Sequence, residues 1–324
     1  MQVAIVDHLA GARGIRCAPE QVTILNSAMQ AYDLITRVLG ERDDVAWIED
    51  PCYPNLRAVL SMAGMRAAPL AVDAEGLAIE SARGNGELPT LICATPSCQY
   101  PTGVVMSLAR RLALLEVAER SQAWIVEDDH QVEFAWSARP PASIFALDRG
   151  ARTLYAGTFS HTIFPSLRIA YVVLPPALVD VFHAVRRQLD DHTHGFMQAV
   201  LADFIAAGHF SAHVRKMRTL YGARREALID AFSCRAPDVA LGGLACGMHA
   251  TLEFDARRHD TGVAARAARV GVQVLPLSRY SAGAVRRHGL LLGYSALSES
   301  RITSAVARLV PVLEGIEPSA AARG

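Results

Sequence analysis

The sequence predicts an α/β protein with a mainly parallel sheet, helices on both faces of that sheet, and a second, smaller α/β part toward the C-terminus. Three observations carry this. Through the first two thirds of the chain, short and almost purely apolar runs alternate with longer amphipathic ones, the pattern of crossover units whose buried parallel strands read as continuous apolar stretches. The 324 residues exceed the usual length of one domain. Beyond about residue 190 the pattern changes to long arginine-rich helices and then to shorter strand-like segments.

Taken in order, strands are predicted at 21–25, 45–49, 89–95, 123–129, 153–160 and 168–175, with helices at 28–39, 54–63, 107–121 and 176–189. In the last third, strands at 248–254 and 289–294 flank a helix beginning near Thr261, and a final helix covers 298–313. This divides the chain into a large part at 1–205, connecting helices and a small C-terminal part at 206–316, and a disordered tail at 317–324.

Composition excludes several classes of function. Lys+Arg and Asp+Glu are equal at 32 each, so no broad field draws the chain to nucleic acid or to an anionic membrane. No run approaches the roughly 20 apolar residues that span a bilayer, and the N-terminus lacks a secretory apolar segment, so a cytoplasmic location is expected. The six cysteines show no CxxC spacing and are expected to be free, mostly buried thiols. His192 and His194 flank a turn with no third ligand at a convincing spacing, so no metal is expected. The basic run Arg215, Lys216, Arg218, Arg224 and Arg225 is expected to form a solvated helix face or a dimer contact.

Ligands of open α/β sheets sit beyond the carboxyl ends of the strands. Beyond Leu25, Ser27 and Ala28 open a helix whose free amides suit a phosphate. The second strand is followed by a proline-framed turn carrying Tyr53, and the third by Pro96 to Gly103 with Tyr100. The fourth ends in Glu127, Asp128, Asp129 and His130, an acidic triplet that requires a cationic partner once buried. After the fifth come Thr158, Ser160, His161 and Arg168, hydroxyls and an arginine spaced like a phosphate clamp.

As an ordered set, IEDPCYP, TPSCQYPTG, VEDDHQVEF, YAGTFSHTIFPSLRIAYVVLP and GLLLGYSALSE resemble the aminotransferase-like domain of MocR-type regulators, GntR-family transcription factors that fuse a winged helix to an aminotransferase body. The likeness runs from about Val3 to the last helix. It implies a class I/II aminotransferase fold (fold type I of the pyridoxal-phosphate proteins), pyridoxal or pyridoxamine 5'-phosphate as cofactor, a homodimer, and a small amine, amino-acid or keto substrate. It further implies that Asp128 pairs with the pyridine nitrogen, that Tyr53 stacks on the ring, that Tyr100 and Gln99 lie near the ring face, and that Ser27, Ala28, Thr158, Ser160 and Arg168 hold the phosphate.

Departures from the family pattern concern the covalent chemistry. His161 occupies the place of the lysine that forms the Schiff base, and an imidazole cannot form one; Lys216, the sole lysine, lies in a different helix. His130 stands where a tyrosine would meet the phenolic oxygen, Cys98 replaces a histidine, Ser27 a glycine, and Leu291 a carboxylate-binding arginine. The winged helix and the N-terminal arm are expected to be absent, leaving DNA binding to a missing or separate domain. Three functions follow: a catalytically degenerate, noncovalent cofactor binder; a dehydratase-like enzyme using His161 as general base; or an ordinary transaminase or regulator.

Overall fold

The structure, a computed structural model, describes residues 1–84, 87–137, 141–148, 152–255, 258–283 and 286–315. The tail expected at 317–324 lies outside them. The chain opens with helix α1 (Gln2–Arg13), followed by β1 (Val22–Leu25), α2 (Ala28–Leu39), β2 (Val45–Asp50), α3 (Pro54–Met62), β3 (Arg66–Asp73), β4 (Gly76–Leu77), β5 (Leu91–Ala94), α4 (Leu108–Ser121), β6 (Trp124–Asp128), α5 (Ile144–Leu147), β7 (Thr153–Thr158) and β8 (Ala170–Val173). Helices α6 (Val179–Leu189), α7 (Gly195–Ala206) and α8 (His209–Arg235) lead into β9 (Leu241–Gly242), β10 (His249–Glu253), α9 (Asp260–Arg269), β11 (Leu275–Pro276), β12 (Gly289–Gly293) and α10 (Glu299–Leu313).

The first eight strands form one sheet in the order β1-β8-β7-β6-β5-β2-β3-β4. Pairings from β3 through β2, β5 and β6 to β7 are parallel, while β8 is antiparallel to both β7 and β1. The reversal at β8 follows from its short connection: the chain turns from Thr158 to Ala170 through Phe159–Ile169, too few residues for a crossover helix. Alternate residues of β6 serve opposite faces. Val126 packs with Tyr32, Leu34 and Ile35 of α2, with α3 and with Phe182 of α6, whereas Ile125 packs with Leu114 and Ala118 of α4 and Ile144 of α5. A four-stranded antiparallel sheet, β11-β12-β10-β9, forms the second part, with α9, α10 and the end of α8 burying Ala250, Leu252, Leu290 and Leu292.

Local chemistry explains the helix starts. Ser27 and Ser107 each accept a hydrogen bond from the backbone N–H three residues on, and Pro54 begins α3, where its missing N–H costs nothing. Outside the predicted set lie the short elements β4, α5, β9 and β11 and two longer ones, α1 and β3. Helix α1 buries Ile5, Leu9 and Arg13, an i, i+4, i+8 series. Strand β3 contains Pro69, which argues against a strand, but its outer side is paired only at Val72 and Asp73.

The acidic end of β6 finds its cations. Asp129 meets Arg13 of α1 at 2.7 Å and Glu127 meets Arg111 of α4 at 3.6 Å, all four side chains being essentially excluded from solvent. Glu127 also accepts the backbone N–H groups of Ile144 and Phe145, while Arg111 donates to the carbonyls of Met106, Pro96 and Ala142. Three arginines of the basic run depart from the expected solvated face: Arg218, Arg224 and Arg225 donate to the carbonyls of Glu133, Ser295 and Leu244, fastening α8 to both parts of the molecule. The cysteine expectation is also corrected, because Cys98 and Cys246 form a disulfide across a sequence separation of 148 that no local spacing reveals. Cys17, Cys52, Cys93 and Cys234 are free.

Replacing Arg111 strips Glu127 of its charge partner and removes a donor from three carbonyls, of which Pro96 keeps the Met106 N–H. Arg111→Met is expected to lower unfolding free energy by about 3–5 kcal/mol in urea titration, the range for breaking a buried pair from one side. An effect below about 1 kcal/mol would show that the pair holds nothing.

Candidate functional site

At the carboxyl ends of β2, β5, β6 and β7 lies a cavity of about 420 Å³. Ser27, Ala28, Tyr53, Tyr100, Asp128, His130, Thr158, Ser160, His161 and Arg168, all singled out in the sequence, line it together. Lys216 is exposed on α8 and is not among the lining residues.

Each side chain is placed by the element that carries it. Asp128 ends β6 on the α2 side of the sheet, where the hydroxyl of Tyr32 approaches its Oδ2 at 3.5 Å and His130 Nδ1 lies 3.5 Å from its Oδ1. That Oδ1 is buried and without a hydrogen-bond partner, as are Ser160 Oγ and Gln131 Oε1, so three lining residues hold polar atoms open to a ligand or water. Ser27 spends its side chain on the N–H of Gln30, leaving the backbone amides of the first turn of α2 toward the cavity. Thr158 Oγ1 accepts the N–H of Ser160, tightening the turn after β7. Arg168 has φ of +52°, a left-handed conformation that an arginine adopts only when its surroundings impose it, and it brings the guanidinium into the same cavity.

Two imidazoles stand side by side, the rings of His130 and His161 being 5.7 Å apart. Burial pulls His130 down, yet the Asp128 carboxylate, with Asp129 and Glu49 behind it, holds it above the ordinary imidazole value. His161 moves the other way, to about 4, through loss of hydration in the cavity and repulsion from His130, against the attraction of Asp128. More than a third of the His161 surface remains open, and water on that side opposes part of the shift. Near neutral pH, His161 is therefore the uncharged member of the pair.

Several residues of the site carry no motif. Tyr32 braces Asp128 from α2, and Glu49, buried at the end of β2, accepts from the N–H and hydroxyl of Thr95 and from Gln99 Nε2. Burial raises the Glu49 carboxyl above its usual range, those hydrogen bonds opposing the rise. An acidic residue inside an apolar strand run is the signal by which Glu49 could have been found. Gln99, expected beside the cofactor ring, is not among the lining residues: its amide is buried and donates to Glu49 and to the carbonyls of Pro51 and Tyr100, bracing the loop that presents Tyr100. Leu291 is buried in β12 against Leu277, Tyr280 and Tyr100, an apolar contact at the edge of the site.

Elsewhere, the described residues contain no group of three His, Cys, Asp or Glu able to hold a metal and no helix long and apolar enough to cross a membrane. His192 pairs with Asp191 at 2.9 Å.

A mainly parallel eight-stranded sheet with helices on both faces, and a cavity at its strand ends lined by the start of α2, hydroxyls, two imidazoles and an arginine, define the class. The sequence matches the aminotransferase class I and II family over residues 2–309, and the chain belongs to that family. It is 35% identical over 322 residues to the probable rhizopine catabolism regulatory protein MocR of Rhizobium meliloti, covering 99% of this chain and 65% of that protein. It is 29% identical over 312 residues to the pyridoxine biosynthesis transcriptional regulator PdxR of Corynebacterium glutamicum, covering 95% of this chain and 66% of that one. The chain thus spans about two thirds of the length of these relatives. Among solved structures it is similar to the kynurenine aminotransferase of Pyrococcus horikoshii, crystallised with pyridoxamine phosphate, with TM-score 0.89 and 25% identity over 98% of this chain and 80% of that one.

The opposite displacement of the two imidazoles is measurable. On acidification His130 takes its proton first, above about 6.5, and His161 only well below it. Histidine NMR titration is expected to show that order, and His130→Phe to raise the His161 midpoint by removing the neighbouring charge. A His161 midpoint at or above that of His130 would contradict the electrostatics described here.

Proposed function

We propose that this chain is the aminotransferase-like body of a MocR-type regulator, that it binds pyridoxal or pyridoxamine 5'-phosphate without a covalent bond, and that it does not transaminate. One observation carries the proposal: Asp128 Oδ1 and Ser160 Oγ are buried without hydrogen-bond partners in residues lining a cavity whose basic groups include imidazoles and an arginine but no amine. The donor set fits the cofactor. Asp128 accepts from the pyridine N–H, Tyr53 and Tyr100 supply aromatic faces, and Arg168, Thr158, Ser160 and the first amides of α2 receive the phosphate. When bound, the cofactor supplies an electron-withdrawing ring kept protonated by Asp128. His130, held on Asp128, presents its other ring nitrogen to the cavity. Leu291, in the place of the carboxylate-binding arginine, favours sensing of the cofactor itself over recognition of an amino acid.

DNA recognition on this proposal belongs to a winged-helix segment outside residues 1–324, and the body acts as a homodimer. The exposed apolar side chains of α7, Phe196 and Val200, suit a protein contact.

A second function, proton transfer by His161 to or from a bound amine or keto compound, is favoured by the lowered His161 pKa, which leaves an uncharged, partly open base at neutral pH. It requires cofactor-dependent exchange of a substrate proton with solvent, lost in His161→Gln.

Titration with either phosphate is expected to raise Tm and to saturate near one equivalent per chain. Borohydride should leave the protein mass unchanged. Asp128→Ala should weaken binding about tenfold or more, whereas His161→Lys should restore covalent, borohydride-fixable attachment of pyridoxal phosphate. A reducible adduct on the unaltered chain would overturn the proposal.

A further inference from the structure

Cys98 and Cys246 come from opposite sides of the seam between the two sheets. Cys98 lies on the loop between β5 and α4 that carries Tyr100, and Cys246 in the connection between β9 and β10. Backbone meets backbone here. Gly103, with φ of +67°, leaves no room for a side chain, since a Cβ would stand 2.5 Å from the Cα of Gly243. Trp136 N–H donates to the Ala245 carbonyl, Gly247 N–H to the Phe134 carbonyl, and His249 Nε2 lies 2.9 Å from the Pro101 carbonyl oxygen. Tyr100 stands at the same seam, its ring edge-on to His130, His249 and Tyr280 and its hydroxyl 3.0 Å from that of Tyr280. The cross-link therefore ties the loop bearing a cavity residue to the four-stranded part.

Neither of the two buried free cysteines competes readily for this bond. Burial pushes the Cys52 thiol up to about 12 and Cys93 higher still, so neither supplies the thiolate that exchange requires. Cleavage leaves a state the fold accommodates, because the Cys246 sulfur lies 3.4 Å from the Gly103 carbonyl oxygen, within reach of a thiol donor. Both sulfurs are buried, so an external thiol reaches them only when the seam parts.

We infer that Cys98 and Cys246 form a reversible thiol–disulfide site that latches the four-stranded part against the Tyr100 loop, and that a dithiol reductant releases the latch. The exchange breaks the Sγ–Sγ bond, and two electrons and two protons pass from the dithiol to the two cysteines while the reductant closes to its own disulfide. Oxidised, the seam is covalent; reduced, hydrogen bonds and packing hold it, and the loop under Tyr100 loosens. The inference needs no cofactor and goes beyond the binding proposal.

The test uses the full chain. Air-oxidised protein, denatured and treated with iodoacetamide, is expected to show Cys98 and Cys246 joined in one peptide pair and the other four cysteines alkylated. Native incubation with dithiothreitol should add two alkylation sites, speed hydrogen exchange at the amides of Trp136 and Gly247, and lower Tm by roughly 5–10 °C, as expected for a long closed loop in a chain of this size. Cys98→Ala and Cys246→Ala should each reproduce the reduced behaviour and lose its dependence on dithiothreitol. Should either variant fail to fold, the comparison of oxidised and reduced wild-type protein decides alone. Alkylation of both cysteines before reduction, or unchanged exchange and Tm after it, overturns the inference.

Discussion

Three successive carboxylates at the end of a central strand impose the arrangement of everything near the cavity. Because side chains alternate across a strand, Glu127 and Asp129 face one side of the sheet and Asp128 the other. The two on the first side lie out of water and are compensated locally: Arg111 with two backbone N–H groups for Glu127, and Arg13 with the Tyr155 hydroxyl for Asp129. Burial and the charge of Asp129 raise the Glu127 carboxyl to about 7 despite Arg111, which shows how costly the placement is. Asp128 is treated differently. Its Oδ2 receives a long contact from Tyr32 and its Oδ1 an ion-pair contact from His130, but Oδ1 has no hydrogen bond. Asp129 also keeps one buried oxygen without a hydrogen bond, but only the one on Asp128 belongs to a residue that lines the cavity, where it is an acceptor open to a ligand.

Much of this was legible in the sequence because it depends on periodicity and short-range order. The strand runs are continuous apolar stretches, and the helix starts carry Ser27, Ser107 and Pro54, so the elements could be placed within a few residues. The cavity set was legible for the same reason: each member follows a strand, and a parallel sheet gathers the carboxyl ends of its strands. What escaped is non-local. That Arg13 serves Asp129 and that Cys98 bonds Cys246 depends on how α1 and the second sheet pack, which no spacing encodes. The Gln99 amide escaped because a motif position says nothing of which way it turns; it is buried and donates to Glu49 and to the carbonyls of Pro51 and Tyr100.

The histidine pair shows how one carboxylate produces two different imidazoles. Asp128 touches His130 and raises it, while its pull on His161 is outweighed by lost hydration and by His130 itself. The lowered His161 and the raised His130 are thus consequences of position rather than residue type. An amine at position 161 would meet the same repulsion and lose its proton more easily, which suits a nucleophile; an imidazole under the same field keeps only the capacity to accept a proton.

That distinction bears on what the cavity can do. On the proposed function, holding a phosphorylated pyridine would rest on Asp128, Arg168, Thr158, Ser160, the start of α2 and the tyrosines, and these residues line the cavity. Covalent transfer depends on an amine nucleophile, and among the lining residues none offers one. Binding free energy and bond-making chemistry are supplied by different side chains, so a chain can retain the first without the second. A body that binds its ligand reversibly, with its two parts joined across a seam at Tyr100, can report occupancy through the relative placement of those parts, provided the ligand prefers one placement over another. Tyr100 is positioned to carry that preference, since its ring lines the cavity while its hydroxyl and edge contacts reach Tyr280 and His249 of the other part.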